Sequence, residues 1–414
     1  MNNETKKEKL VPELRFPGFE GEWEMKRLDE IADRCNFRNK DKAETRVLTN
    51  SATEGVVDQN AYFDKDIAVK ENTDNYHIVD RDDFVYNPRI STSAPVGPIS
   101  RNKLGRGIMS PLYSVFRFKS ENIDYLEHFF STTLWHKYLK QVANYGARFD
   151  RMAISTEDFY AMPIFVPSLP EQQKIAECLS SVDDLIQAEA DQLQALKDHK
   201  KGLMQQLFPQ EGETTPKLRF PGFEREWEEK KFKDFTFSAG KKNKQNLPYE
   251  RYSISNETGF CPQNDQFEGG GGYLKDIDCR MYIIVSPMSF AYNPARINVG
   301  SIGYKNLGKD VIVSSLYEVF QTTDICDDTF LWQWFKSNAF RKMVVDVQEG
   351  GVRQYFYYNK LQECSIHLPS LPEQQKIASC LSSLDEGIAA QQEKVEALKE
   401  HKKGLMQKLF PTIN

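Results

Sequence analysis

The 414-residue chain is 40% hydrophobic and 28% charged with a net charge of −6, the balance of a globular protein long enough for two or more cores. No apolar run approaches the roughly 20 residues of a membrane span, and the polar stretch from Met1 to Lys9 lacks the apolar segment of a secretion signal. Seven scattered cysteines without a C-x-x-C pair argue against a disulfide framework or zinc site and for reduced thiols in a cytoplasm; Cys178 and Cys380 are expected as small buried hydrophobes. The acidic total excludes a chain coated in positive charge, but leaves room for a local basic face or basic partners.

In chain order, a first body is predicted over residues 11–167. It begins with Leu14-Arg15-Phe16-Pro17-Gly18-Phe19-Glu20-Gly21-Glu22-Trp23-Glu24. Phe84-Val85-Tyr86 and Tyr113 to Phe118 read as short strands between turn signals. Ile123, Leu126, Phe129, Phe130 and Leu134 predict one helix from Asn122 to Val142. Pro167-Ser168-Leu169-Pro170-Glu171-Gln172-Gln173-Lys174-Ile175-Ala176 then opens a long helix over 168–208, with Ser168 as the expected cap and Glu171 completing a capping box. A polar linker, 209–216, separates it from a second body over 217–368 and a second long helix over 369–411.

The second half repeats the first. The leading segment returns as Leu218 to Glu228, the helix start as Pro369 to Ala378, and Leu196 to Gln205 as Leu398 to Gln407 with one Asp-to-Glu change. Ile283 to Val285, Val311 to Val313 and Tyr317 to Phe320 are predicted strands, and Asp328 to Val347 the matching helix. The bodies diverge while the segments around them stay nearly identical.

Each long helix carries a coiled-coil seam in steps of four and three. The first runs Ile175, Leu179, Val182, Ile186, Glu189, Leu193, Leu196, Lys200, Leu203, Leu207; the second runs Ile377, Leu381, Leu384, Ile388, Gln391, Val395, Leu398, Lys402, Leu405, Leu409. The polar interruptions fall at the same two places. From Glu171 to Phe208 such a helix is about 57 Å long. Matching seams in one chain predict that the helices pair with each other, antiparallel, under a pseudo-two-fold relation between the halves.

Catalytic motifs are missing: there is no G-x-x-x-x-G-K-[ST], H-E-x-x-H or G-x-S-x-G. His199 and His401 read as surface groups beside the seam, and Gly269 to Gly272 as a loop rather than a phosphate cradle. Tyr86-Asn87-Pro88-Arg89 and Tyr292-Asn293-Pro294-Ala295-Arg296 depart from the Asn-Pro-Pro-aromatic motif of amino-methyltransferases and read as turns at strand ends.

Arg, Asn and Gln read base edges and Lys holds phosphate, so polar and aromatic clusters point to nucleic acid. In the first body the candidates are Arg89, Ser91, Thr92, Arg101, Lys103, Arg106, Tyr145, Arg148 and Arg151. In the second they are Lys241, Lys242, Lys244, Arg296, Asn298, Arg353, Gln354 and Tyr355. Gly146-Ala147-Arg148 and Gly351-Val352-Arg353 form the best matched pair.

The doubled Leu-Pro-Glu-Gln-Gln-Lys-Ile-Ala, the Gly-x-Arg segments ahead of it and the repeated halves resemble the specificity subunit of type I restriction–modification systems, over essentially the whole chain. The resemblance implies an α+β fold: two tandem-repeat target-recognition domains joined by two long helices in an antiparallel coiled coil. Each domain reads one half of a bipartite site on double-stranded DNA, with surfaces within 45–158 and 245–360. The helices set the spacer and dock two modification (methyltransferase) subunits, which two restriction subunits join. The resemblance also implies a non-catalytic cytoplasmic chain that holds no cofactor or metal, with S-adenosylmethionine, ATP and Mg2+ in the partners. The alternative is a coiled-coil protein–protein scaffold without sequence-specific DNA reading; an autonomous nuclease or methyltransferase is a further rival, disfavoured by the missing motifs.

Overall fold

The computed structural model describes residues 10–62, 73–144, 150–210, 212–256, 259–263, 278–306, 308–348 and 355–412. The chain divides into two compact units: unit 1 is residues 1–189 with 394–414, and unit 2 is residues 190–393. The division falls inside both long helices, Leu169–Leu207 and Leu371–Leu409, so each unit takes part of each.

In unit 1 the leading segment turns at Pro17-Gly18. Gly18 has φ 91° and the Phe19 amide bonds back to the Phe16 carbonyl, the geometry that places Pro before a positive-φ Gly. Strand Glu24–Arg27 then pairs antiparallel with Pro163–Val166, joining the two ends of the body. A four-stranded antiparallel sheet follows, in the order Ala32–Arg34, Ser114–Phe118, Phe84–Tyr86, Ile99–Arg101. Its apolar face packs on helix Ile123–Phe130. Leu409 and Phe410, from the end of the second long helix, enter the same core. There Phe410 stacks on Tyr125 at 5.6 Å and meets Trp23 edge-on at 6.0 Å. A second cluster around Val79, Val85 and Val115 fills the other face.

Unit 2 repeats this plan. Glu228–Lys231 pairs with Ser365–Leu368, and the sheet order is Thr236–Ser238, Glu318–Thr322, Ser289–Tyr292, Ile302–Lys305. Leu207 and Phe208, from the end of the first long helix, enter its core, with Phe208 at 5.6 Å from Phe330.

The single helix expected from Asn122 to Val142 is two, Ile123–Phe130 and His136–Val142. The hydroxyls of Ser131 and Thr132 bond back to the Glu127 and Phe129 carbonyls and compete with the helical ladder. In unit 2, where Asp328 to Val347 was expected, the helices are Asp328–Phe335 and Asn338–Gln348. Ser337 marks that break, its hydroxyl accepting the Phe340 amide.

The expected capping box at Ser168 is absent because the Glu171 carboxylate is taken by Arg15. Arg15 donates from Nε and Nη2 to its two oxygens, both at 2.7 Å, and Arg219 does the same to Glu373 at 2.9 and 2.8 Å. Bidentate charge-assisted pairs are stronger than a cap to a backbone amide. The next residue, Gln172, donates to the Pro167 carbonyl and accepts the Asn122 amide; Gln374 likewise joins Pro369 to Asp327.

The seam is polar where the sequence is polar. In unit 1, Lys402 pairs with Asp183 at 2.6 Å and Lys394 with Glu189 at 2.7 Å. Going forward along one helix goes backward along the other, so the pair is antiparallel. In unit 2 the buried Lys200 meets Asp385 at 2.5 Å, and Asp385 also accepts from Gln333 and Lys336. All seven cysteines are free; Cys178 and Cys380 are half-buried rather than buried. Among the described residues no helix is long and apolar enough to cross a membrane.

Burial pushes the Asp385 carboxyl up, but the Gln333 and Lys200 hydrogen bonds and the charge of Lys336 outweigh it and hold it below its ordinary value. A lowered carboxylate stabilises the fold above the unfolded value and loses that contribution as the pH falls through the folded one. Asp385→Asn is therefore expected to lower the melting temperature at neutral pH. Its gap to the parent chain should close below about pH 4, as followed by thermal denaturation against pH.

Candidate nucleic-acid interface

The sheet of each unit aims one turn outward. In unit 1, strand Phe84–Tyr86 runs into Asn87-Pro88, whose buried Asn87 donates to the Asn50 carbonyl at 2.9 Å and accepts the Arg89 amide at 3.1 Å. This Asx turn is closed by Gly97 at φ 79°, where a Cβ would overlap the Asn87 carbonyl. Tyr86 points inward, its hydroxyl donating to the Val96 carbonyl and its ring stacked on Phe159. Burial pushes its phenol well above the ordinary range. Both motif side chains are thus committed to the fold, and the turn presents Arg89, Ser91 and Thr92 to solvent.

A second segment lies against this turn. The Met152 amide donates to the Pro88 carbonyl at 2.8 Å and the Ile90 amide to the Asp150 carbonyl at 3.1 Å, setting Arg89 opposite Arg151 in an antiparallel bridge. Arg151 reaches Asp150 at 3.5 Å, and among the described residues its buried Nε has no hydrogen-bond partner. Unit 2 repeats the platform: Asn293 accepts the Ala295 amide, and the Phe356 amide donates to the Pro294 carbonyl at 3.0 Å. A 3-10 turn, Ile297–Val299, then closes at Gly300 with φ 91°. Arg296, Asn298 and Tyr355 are exposed there.

The other candidates separate. Arg101 is nearly buried among carboxylates, with Asp82 at 2.6 Å, Asp124 at 2.5 Å and Glu127 at 3.4 Å. Burial lowers its guanidinium value and the bonds to Asp82 and Asp124 more than restore it. Lys103 pairs with Glu127 at 2.6 Å and Arg106 with Asp80 at 3.0 Å, both largely exposed. Lys241, Lys242 and Lys244 are exposed; the first two pair in a strand with Ile284 and Ile283. Tyr145, Arg148, Arg353 and Gln354, and with them both Gly-x-Arg segments and Gly269 to Gly272, lie outside the described residues.

Sequence reasoning passed over two features. Tyr357 stacks on Tyr355 at 5.4 Å with 17° between the rings; the signal was the alternation Tyr355-Phe356-Tyr357-Tyr358, in which the second and fourth residues are buried. The other is a groove of about 560 Å³ in unit 1 that holds Ser51, Thr53, Ser93, Ser100 and Thr132 beside Arg101 and Lys103. Its hydroxyls come from separate elements and share no linear pattern. Among the described residues no group of three or more His, Cys, Asp or Glu could hold a metal ion.

The type I restriction modification DNA specificity domain matches this chain twice, over residues 20–198 and 224–400. The chain belongs to the type I restriction–modification DNA specificity family. A type I specificity subunit, MjaVIII of Methanocaldococcus jannaschii, is 26% identical over 329 residues, 74% of each chain. The S subunit structure from M. genitalium superimposes with TM-score 0.58 at 11% identity, covering 98% of this chain and 100% of that one. A chain solved for the assembly and conformational transition of the type I R-M system gives 0.56 at 15% identity, covering 97% and 99%. These likenesses establish the specificity-subunit fold, with its paired long helices and two recognition domains.

Arg101→Ala in this specificity chain is expected to destabilise unit 1 by about 2 kcal/mol, by removing charge-assisted bonds. Lys103→Ala, at an exposed pair, should change stability by less than about 1 kcal/mol. Urea denaturation of both variants separates the structural arginine from the surface lysine.

Proposed function

We propose that this chain is the non-catalytic sequence reader of a type I restriction–modification complex, each unit reading one half of a bipartite site on duplex DNA. The observation that carries this reading is the recurrence of one platform, a strand-end Asn-Pro turn bonded to the segment ahead of the long helix, with different exposed side chains in each unit. A constant frame with variable polar tips suits two different half-sites. The long helices, 39 residues each, fix the separation between halves. The chemistry belongs to partners: two modification subunits using S-adenosylmethionine, and two restriction subunits using ATP and Mg2+, all in the cytoplasm.

Two copies of one partner are supported by exposed residues that recur unchanged although the fold does not demand them. Leu14 and Leu218, Glu20 and Glu224, and Leu169 and Leu371 are all exposed. A surface kept the same in both repeats suits the same partner docking twice.

Methylome sequencing of a host carrying this chain with its cognate modification subunit, against the same host without it, tests the reading. A new bipartite motif with methyladenine in both halves and a fixed gap is expected. An assembled complex that yields no motif would leave the scaffold as the better account. Inserting four residues into each long helix adds about 6 Å and should change the gap while keeping both half-sites; an unchanged gap would sink the ruler. Arg89→Ala should weaken binding and, if it meets a phosphate, reduce the salt slope by about one, as read from a titration of affinity against salt.

A further inference from the structure

We infer that the two units read their half-sites by different chemistry at one structural address: a guanidinium pair in unit 1, and in unit 2 a stacked tyrosine pair that contacts thymine methyl groups. The inference rests on the DNA-reading role proposed above.

The address is fixed by backbone bonds. Met152 in unit 1 and Phe356 in unit 2 are both buried, and each donates its amide to the proline carbonyl of the turn. The register makes Arg151 the counterpart of Tyr355, and Ala153 that of Tyr357. In unit 1, Arg89 and Arg151 therefore face each other. Like charges directly opposite on paired extended segments repel. Asp150 meets part of the Arg151 charge at 3.5 Å, and an anion or a guanine edge, with its two acceptors, relieves the repulsion that remains.

In unit 2 the counterparts of Arg151 and Ala153 are large rings, while that of Arg89 is Ala295. Tyr355 and Tyr357 are 46% and 48% exposed, on the same side of an extended segment whose alternate residues fill the core. Each ring supports the other by stacking, which holds them in place before anything binds. Tyrosine offers a broad, rigid contact at little entropic cost, and rings left facing water gain by covering an apolar group. On the base edges of the major groove, the apolar group is the thymine methyl. Arg296 and Asn298, on the adjoining turn, supply the charge and polarity that bring the duplex to this site.

The test uses the complex reconstituted with its modification subunits and the bipartite duplex defined by the methylome. Each thymine is replaced in turn by deoxyuridine, which keeps the hydrogen-bonding edge and removes the methyl. Each guanine is replaced by 7-deazaguanine, which removes one acceptor. For the parent chain, deoxyuridine should lower kcat/KM for methylation about fourfold per methyl covered, in one half-site only, and 7-deazaguanine should act in the other. Y355F/Y357F should keep the deoxyuridine effect and Y355A/Y357A should lose it while the other half-site is read as before. Indifference of the parent complex to deoxyuridine, or an effect that survives in Y355A/Y357A, overturns the inference and leaves the reader intact. A parent complex that assembles and methylates no bipartite site overturns the reader itself, and this inference with it. Because the deoxyuridine series on the parent chain needs no substitution, a variant that fails to fold does not shield the proposal.

Discussion

A bidentate ion pair at the start of each long helix joins parts of the fold that lie far apart in sequence. Arg15 grips Glu171, Arg219 grips Glu373, and in both units the neighbouring glutamine ties the helix start to the body helix beside it. The glutamates are almost fully buried, so each charge is held where an unpaired carboxylate would be costly. The same arginines also donate to backbone carbonyls of the leading segment, Arg15 to Gly21 and Arg219 to Arg225, and so help shape the loop after the Pro-Gly turn. Body, leading segment and long helix are thereby referred to one point.

From that point the repeat divides its labour. Trp23 and Trp227, the Glu-Gln pairs and the aromatic residues that end each long helix form a frame that is nearly the same in both units. What differs sits beyond it, on the turn after the strand and the segment bonded to it. A rigid frame matters here because base discrimination depends on donors held in fixed positions against a base edge. The buried amide of Asn87 and the closing Gly97 keep Arg89 on a short, constrained turn rather than a free loop.

The sequence made the long helices, their seam and the strands at Phe84, Ile283 and Val311 legible, because period and repetition are local properties of a chain. It also marked the Leu-Pro-Glu-Gln-Gln motif, but a capping box was the natural local reading of Glu171. Its bond to Arg15 crosses the whole body and leaves no periodic trace. The breaks at Ser131 and Ser337 were hidden by apolar spacing that continues across them. Among the interface candidates, Arg89 and Arg151 come together in unit 1, and within unit 2 Tyr355 adjoins the Phe356 amide that bonds the turn leading to Arg296, whereas Arg101 turned out to be enclosed by Asp82, Asp124 and Glu127. Charge type is visible in a sequence; which neighbour neutralises it is decided by folding.

The crossing of the long helices also imposes an order of assembly. Unit 2 is a single stretch of chain, residues 190–393, and holds every residue its core requires. Unit 1 is not: Leu409 and Phe410 belong to its core, between Trp23 and Tyr125. During synthesis the half made first must therefore wait, with an aromatic cleft open, until the ribosome has passed Phe410. The half made second has the last residue of its core at Leu381. In this chain the order of translation and the order of completion run in opposite directions.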